Sequence, residues 1–182
     1  ISAIKPYSTS GFMVIDSSTR RNLELTETLR ERQKRGSLLW VLDKTRTAMG
    51  ARTLRGYLEQ PLIHQEEIEE RLEAVEELNS QLITREELRE YLSPIYDLER
   101  LITRITYGTA NPRDLTAFAG SLSMLPPLSY LLQEMKAPLL QEIYQEMDPL
   151  EDLCALVQQA IADEPPIAMK EGNIIRDGYS EE

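Results

Sequence analysis

S-L-L-W-V-L-D-K-T-R-T-A-M-G-A-R-T-L-R-G-Y-L-E-Q-P-L, residues 37–62, is the stretch whose reading decides the fold class. Leu38, Leu39, Val41 and Leu42 surround Trp40 in a short apolar run, and residues 45–47 form a polar break. Leu54, Tyr57 and Leu58 then recur at helical spacing until Pro61 stops the pattern. The spacing predicts two helices meeting at a tight corner, with Trp40 packed inside a Leu/Val cluster.

Downstream of this corner the helical period continues. Ile68, Leu72, Val75, Leu78 and Leu82 are spaced four, three, three and four, with glutamates between them, which predicts one buried stripe on a solvated helix. Thr84 and Glu87 have capping-box spacing for the next helix, which Pro94 interrupts. Leu98, Leu101, Ile102 and Ile105 repeat at i, i+3, i+4 and i+7 before Gly108. Asn111-Pro112-Arg113-Asp114 is the clearest helix start in the chain: an N-cap residue, a proline for the first turn, and an acid near the positive helix end. Leu115, Phe118, Leu122 and Leu125 form its apolar face. Pro126-Pro127 is expected to kink or break the helix before Leu128, Leu131, Leu132 and Met135. Asp148-Pro149-Leu150-Glu151 repeats the start signal ahead of Leu153, Val157 and Ile161. After Pro165-Pro166 the period is lost.

Upstream, Phe12-Met13-Val14-Ile15 is long enough for one strand, Asp16 or Ser17 can cap a helix through Leu23, and residues 30–36 form a charged loop ending at Gly36. The expected fold is all-α and multihelical, with two packed helical subdomains and a short N-terminal strand. Residue 1 is not a methionine and the chain ends in S-E-E, a helix-opening sequence, so a piece of a longer protein is expected.

Composition narrows the function classes. With 41% apolar residues the 182-residue chain can build a real core. No apolar run is expected to reach the roughly 20 residues of a membrane span, and the expected location is cytoplasmic. One cysteine and one histidine leave no disulfide framework and no zinc ligand set. The net charge of −11 is uneven: residues 1–60 carry eleven Lys/Arg against six Asp/Glu, and the remainder carries nine against twenty-five. Any phosphate contact is expected in the first third.

Few residues carry chemistry. The eight glycines are dispersed and no G-x-x-x-x-G-K-[ST] occurs, so the chain offers no nucleotide loop. His64 reads as a polar residue at a helix entry. Cys154 reads as a small buried hydrophobe. The glutamates from Glu66 to Glu77 read as a solvated face, because helical di-metal sites bring a Glu-x-x-His motif that is missing here. Arg30, Arg32, Lys34 and Arg35 are the remaining candidates, placed on a mobile loop where they could meet DNA phosphates without reading bases.

Four ordered motifs together resemble the MutS family of DNA mismatch-repair proteins. Residues 12–25, F-M-V-I-D-S-S-T-R-R-N-L-E-L, are similar to that family's opening, and residues 37–62 resemble the start of its core (lever) region. Asp97-Leu98-Glu99-Arg100-Leu101 with Pro112-Arg113-Asp114-Leu115 is similar to its D-L-E-R-L and P-R-D-L segments, and residues 171–179, E-G-N-I-I-R-D-G-Y, resemble the approach to its clamp. The resemblance implies that residues 1–15 are a linker and short strand from a preceding connector. It implies that residues 16–182 are a helical core domain cut at the clamp entrance.

What the resemblance implies for the full-length protein is ATP and Mg2+ as cofactors. It also implies mismatched duplex DNA, a MutL-like protein and a second MutS subunit as partners, at a bacterial, nucleoid-associated location. The mismatch-reading Phe-x-Glu and the Walker A loop are missing from these residues, so no catalytic, cofactor or metal residue is carried over. The expected role is therefore mechanical coupling between DNA clamp and ATPase, with the Trp40 corner and Pro126-Pro127 as pivots. The alternatives are an autonomous, non-specific DNA-binding helical module, or the core of a MutS paralogue that does not repair mismatches.

Overall fold

The computed structural model describes residues 11–179. The lead-in before Gly11 and the terminal S-E-E lie outside the described residues. Within them the chain is helical, and its only ladder contacts are two isolated antiparallel bridges, Phe12 with Leu62 and Ile161 with Ile175. The strand expected over residues 12–15 is thus reduced to one bridge. Its would-be partner is Leu62, next to Pro61, whose ring nitrogen cannot donate to a ladder.

Each early helix starts on a side-chain cap. In α1 (Ser17–Asn22) the Asp16 carboxylate accepts the Thr19 N–H at 2.9 Å and the Thr19 hydroxyl at 2.8 Å. These bonds favour the ionised form and lower the Asp16 pKa. Ser37 caps α2 (Leu38–Leu42), accepting the Trp40 N–H at 3.3 Å. Thr47 caps α3 (Ala48–Glu59) through the Gly50 N–H at 3.0 Å. The corner therefore stands where the polar break predicts it. A Cβ at Gly50 would lie 3.1 Å from the Thr47 hydroxyl, so glycine lets this cap close.

Trp40 does not pack as expected. It is 48% exposed, Leu38, Val41 and Leu42 are exposed with it, and of the α2 residues only Leu39 is buried. A five-residue helix presents one narrow face, and Leu39 occupies it.

The main core joins α4 (Gln65–Ser80), α5 (Leu82–Leu92), α8 (Leu125–Gln133) and α9 (Pro138–Glu146) around Ala74, Leu88, Leu128, Leu132 and Leu140, with Ile95 and Met135 from the connections. A second cluster joins α7 (Pro112–Leu122) to α10 (Glu151–Ala160) through Ala119, Leu122 and Cys154. Leu125 packs against both. α6 (Leu98–Thr106) is capped by Asp97, buries Leu101 and ends before Gly108, at φ +65°. α7 opens on the predicted Asn111 cap, and Asp114 completes a capping box: Asn111 accepts the Asp114 N–H at 2.9 Å and Asp114 accepts the Asn111 N–H at 2.7 Å.

Four sequence expectations are corrected. On α4 the fully buried residue is Ala74 and Leu78 of the expected stripe packs half-buried on the same core, while Ile68, Leu72 and Val75 are exposed, as is Leu82 at the start of α5. Ala74 joins the core with Leu88 of α5 and Leu140 of α9, the helices against which α4 packs. The Thr84 and Glu87 box does not form, because α5 already begins at Leu82 after a one-residue break at Gln81. The break near Pro126-Pro127 lies earlier, at Ser123 and Met124; the prolines occupy the first turn of α8, where their missing N–H groups would be unpaired anyway. Pro149 does not start α10. Leu150, in the left-handed region at φ +50°, precedes Glu151, and its N–H donates to Asp148 at 3.0 Å.

By length and composition Pro112–Gln133 would suffice for a membrane span, a stretch that the sequence reading passed over. In the structure it is two helices broken at residues 123–124, with α10 packed on α7 and both α5 and α9 packed on α8.

Candidate nucleic-acid interface

The four basic residues chosen from sequence sit on a closed loop. The N–H of Leu38 donates to Glu24 O at 3.0 Å and that of Leu39 to Leu25 O at 2.8 Å, so residues 24–39 start and finish side by side, as in an Ω-loop. Inside it, the Thr28 N–H donates to Gln33 O at 3.0 Å, and the Glu24 carboxylate accepts the Leu29 N–H at 2.7 Å. Fully buried Ser37 donates its hydroxyl to Lys34 O at 2.7 Å. Gly36 adopts φ +94°, and a Cβ there would stand 3.2 Å from the Thr28 methyl. The loop is held by backbone and cap bonds rather than left mobile.

Arg30, Arg32, Lys34 and Arg35 are all exposed on it. Lys34 is already committed, paired with Asp43, and the Lys34 hydrogen bond is the main reason the Asp43 pKa falls to about 2. Arg30, Arg32 and Arg35 have no carboxylate partner among the described residues. The structure therefore leaves three of the four charges available, on an ordered platform that could place them against phosphates.

His64 stands at the entry to α4 as predicted, with no side-chain cap bond. Cys154 is buried with its Sγ 3.4 Å from Ala119 O, and burial raises its pKa, so it is a poor nucleophile. Among the acidic residues of α4, Glu77 breaks from the solvated reading. Its two oxygens accept the Lys136 N–H at 2.8 and 3.0 Å, and one accepts the Ala137 N–H at 2.7 Å. It caps α9 from another helix, where Ala137 has no side-chain acceptor of its own.

Sequence reasoning missed one arrangement that ties the quoted motifs together. Arg52 of α3 donates to both oxygens of Asp97 at 2.7 and 2.8 Å and to Glu99 at 2.5 Å. The fork lowers the Asp97 pKa and raises that of Arg52. Arg52 lies in T-A-M-G-A-R and its partners lie in D-L-E-R-L, so both ends were already in view; the pairing spans 45 positions and has no local periodicity to reveal it. From α6 the chain of contacts continues, with Arg104 donating to Asp114 of α7 at 2.9 Å.

The sequence profile of the family described as MutS domain III matches residues 18–182. The chain belongs to the MutS domain III family. The DNA mismatch repair protein MutS of Lachnoclostridium phytofermentans is 64% identical over 179 residues, covering 98% of this chain and 19% of that protein. The DNA mismatch repair protein MutS of Alkaliphilus oremlandii is 49% identical over 182 residues, covering 100% of the chain and 21% of that protein. That of Acetivibrio thermocellus is 48% identical over 176 residues, 97% of the chain and 20% of that protein. The chain thus spans about a fifth of the length of the curated relatives it matches. Both ends of the Arg52 fork lie within the matched MutS domain III residues.

Proposed function

We propose that this MutS domain III couples DNA engagement to nucleotide state in a longer mismatch repair protein, acting as a stiff relay. The observation that supports the reading is the Arg52 fork: three short charge-assisted bonds hold α3 to the start of α6, and Arg104 carries the connection on to α7. A fork with two bonds to one carboxylate fixes orientation as well as distance, which is what a relay needs. The exposed α4 stripe and the exposed side of α2 are, on this reading, faces on which other segments of the longer protein rest. Among the described residues no group of three or more His, Cys, Asp or Glu could hold a metal ion, and the sequence has no phosphate-cradling loop. On this reading ATP and Mg2+ are bound by another part of the longer protein, which also works with a MutL-like partner and a second subunit.

Arg52→Ala in the full-length protein is expected to cut mismatch-stimulated nucleotide exchange several-fold while leaving basal exchange without DNA nearly unchanged. Arg52→Lys, which keeps the charge but not the fork, should recover only part of the stimulation. Stimulated exchange equal to wild type in both variants would remove the fork from the relay.

A second reading, direct DNA contact by the Ω-loop, is favoured by Arg30, Arg32 and Arg35, which have no carboxylate partner among the described residues. Replacing Arg30, Arg32 and Arg35 by glutamate in the full-length protein should weaken duplex binding and reduce the slope of log affinity against log salt by up to about 3, near 0.9 per lost phosphate contact. If affinity and slope are both unchanged, the loop does not touch DNA.

A further inference from the structure

α1, the first residues of the Ω-loop and the end of α3 enclose a cavity of about 280 Å3 that the loop arginines do not line. Arg20, Arg21 and Arg55 line it, with the hydroxyl residues Ser17 and Thr26 and the carboxylates Glu27 and Glu59. Two details bear on what it holds. Thr26 is only 8% exposed and borders the cavity with its hydroxyl-bearing side chain. Arg20 uses only part of its fork: Nη2 donates to Ile15 O at 3.3 Å, Nη1 lies 3.9 Å from Glu59, and Nε is buried with no partner.

Buried polar groups are nearly always paired, so the unpartnered Arg20 Nε beside this polar cavity indicates a missing acceptor. Glu59 accepts from Arg55 at 2.9 Å along the helix and stands 3.9 Å from Arg20 Nη1, and it leaves Arg20 Nε unpaired. Three guanidinium groups and two hydroxyls line the cavity against two carboxylates, Glu27 and Glu59, so donors outnumber acceptors there. That donor set suits the several oxygens of one tetrahedral anion. We propose that the cavity binds a single phosphate group, supplied either by a nucleic-acid backbone or by free phosphate. The site is independent of the exposed loop arginines and of the relay.

Arginine modification by phenylglyoxal, mapped by peptide mass spectrometry on the full-length protein, tests it. Inorganic phosphate is expected to slow modification of Arg20 and Arg55 several-fold relative to chloride at equal ionic strength, while Arg46 and Arg100, exposed and away from the cavity, keep their rates. Thr26→Val should abolish most of the protection. Glu27→Gln, which removes a like charge beside the anion, should lower the phosphate concentration for half protection by about five-fold, a gain that misfolding cannot produce. Protection by a short duplex at concentrations where free phosphate gives none assigns the group to a nucleic-acid backbone, and protection by free phosphate alone assigns it to the ion. Equal rates with and without both probes, or equal protection of Arg46 and Arg100, would overturn the site.

Discussion

Replacing Glu77 by alanine is expected to lower the unfolding free energy by about 2–3 kcal/mol, from the loss of a cap and of charge-assisted bonds to backbone N–H groups. The reason lies at the start of α9. Ala137 stands at the cap position with no side-chain acceptor, and Pro138 follows, so the Lys136 and Ala137 N–H groups depend on the Glu77 carboxylate from α4. In the alanine variant those donors turn to water or stay unpaired, and α4 loses its polar tie to α9. Glu77→Gln keeps one acceptor oxygen but turns an NH2 group toward donors, so an intermediate loss is expected. Glu73→Ala, on an exposed position of the same helix, should stay within about 0.5 kcal/mol of wild type. Urea unfolding followed by far-UV circular dichroism measures all three; equal midpoints for Glu77→Ala and Glu73→Ala would show that the cap contributes nothing.

Helix existence was legible wherever the signal was local. The Asn111 cap with Pro112, the Asp16 cap, the Gly108 stop and the two-helix corner each rest on residues within one turn of each other, and all stand in the structure. The faces were less legible. Ile68, Leu72 and Val75 make an apolar stripe whose period is helical, yet the residue that α4 buries in the core is Ala74, and those three are left exposed. Periodicity reports that a stripe exists; the size of the side chain opposite decides which face is buried. The same holds for Trp40, where large apolar residues in sequence surround an indole that the five-residue helix cannot enclose.

The candidate interface divides in a similar way. The basic loop was visible as composition, and its exposure agrees with the charge pattern. That Lys34 is spent on Asp43 while Arg30, Arg32 and Arg35 are not could not be read from spacing, since all four charges look equivalent in R-E-R-Q-K-R. The Arg52 fork and the Arg20 cavity were hidden for a stronger reason. Each joins residues far apart in sequence, and an arginine on a helix gives no sign of whether it faces water or a carboxylate from another motif.

Leu125→Ala tests whether the two clusters are separate packing units, and its expected cost is about 2–4 kcal/mol from lost burial and the space left behind. Leu125 is the first residue of α8, immediately after the Ser123–Met124 break, and it packs both on the α4, α5, α8 and α9 core and on the α7 and α10 cluster. Truncating it removes apolar contact from both sides of the joint at once. We expect the unfolding transition to split or broaden, with Cys154, buried in the smaller cluster, becoming open to thiol reagents at lower urea than the loss of helix in the larger one. Leu131→Ala supplies the comparison, because Leu131 packs only on the larger core and its loss should shift a single transition without separating the two probes. Coincident thiol exposure and helix loss in Leu125→Ala would mean that the clusters unfold as one unit, held together by the Arg104 and Asp114 pair and the rest of the α6 and α7 contact rather than by this side chain.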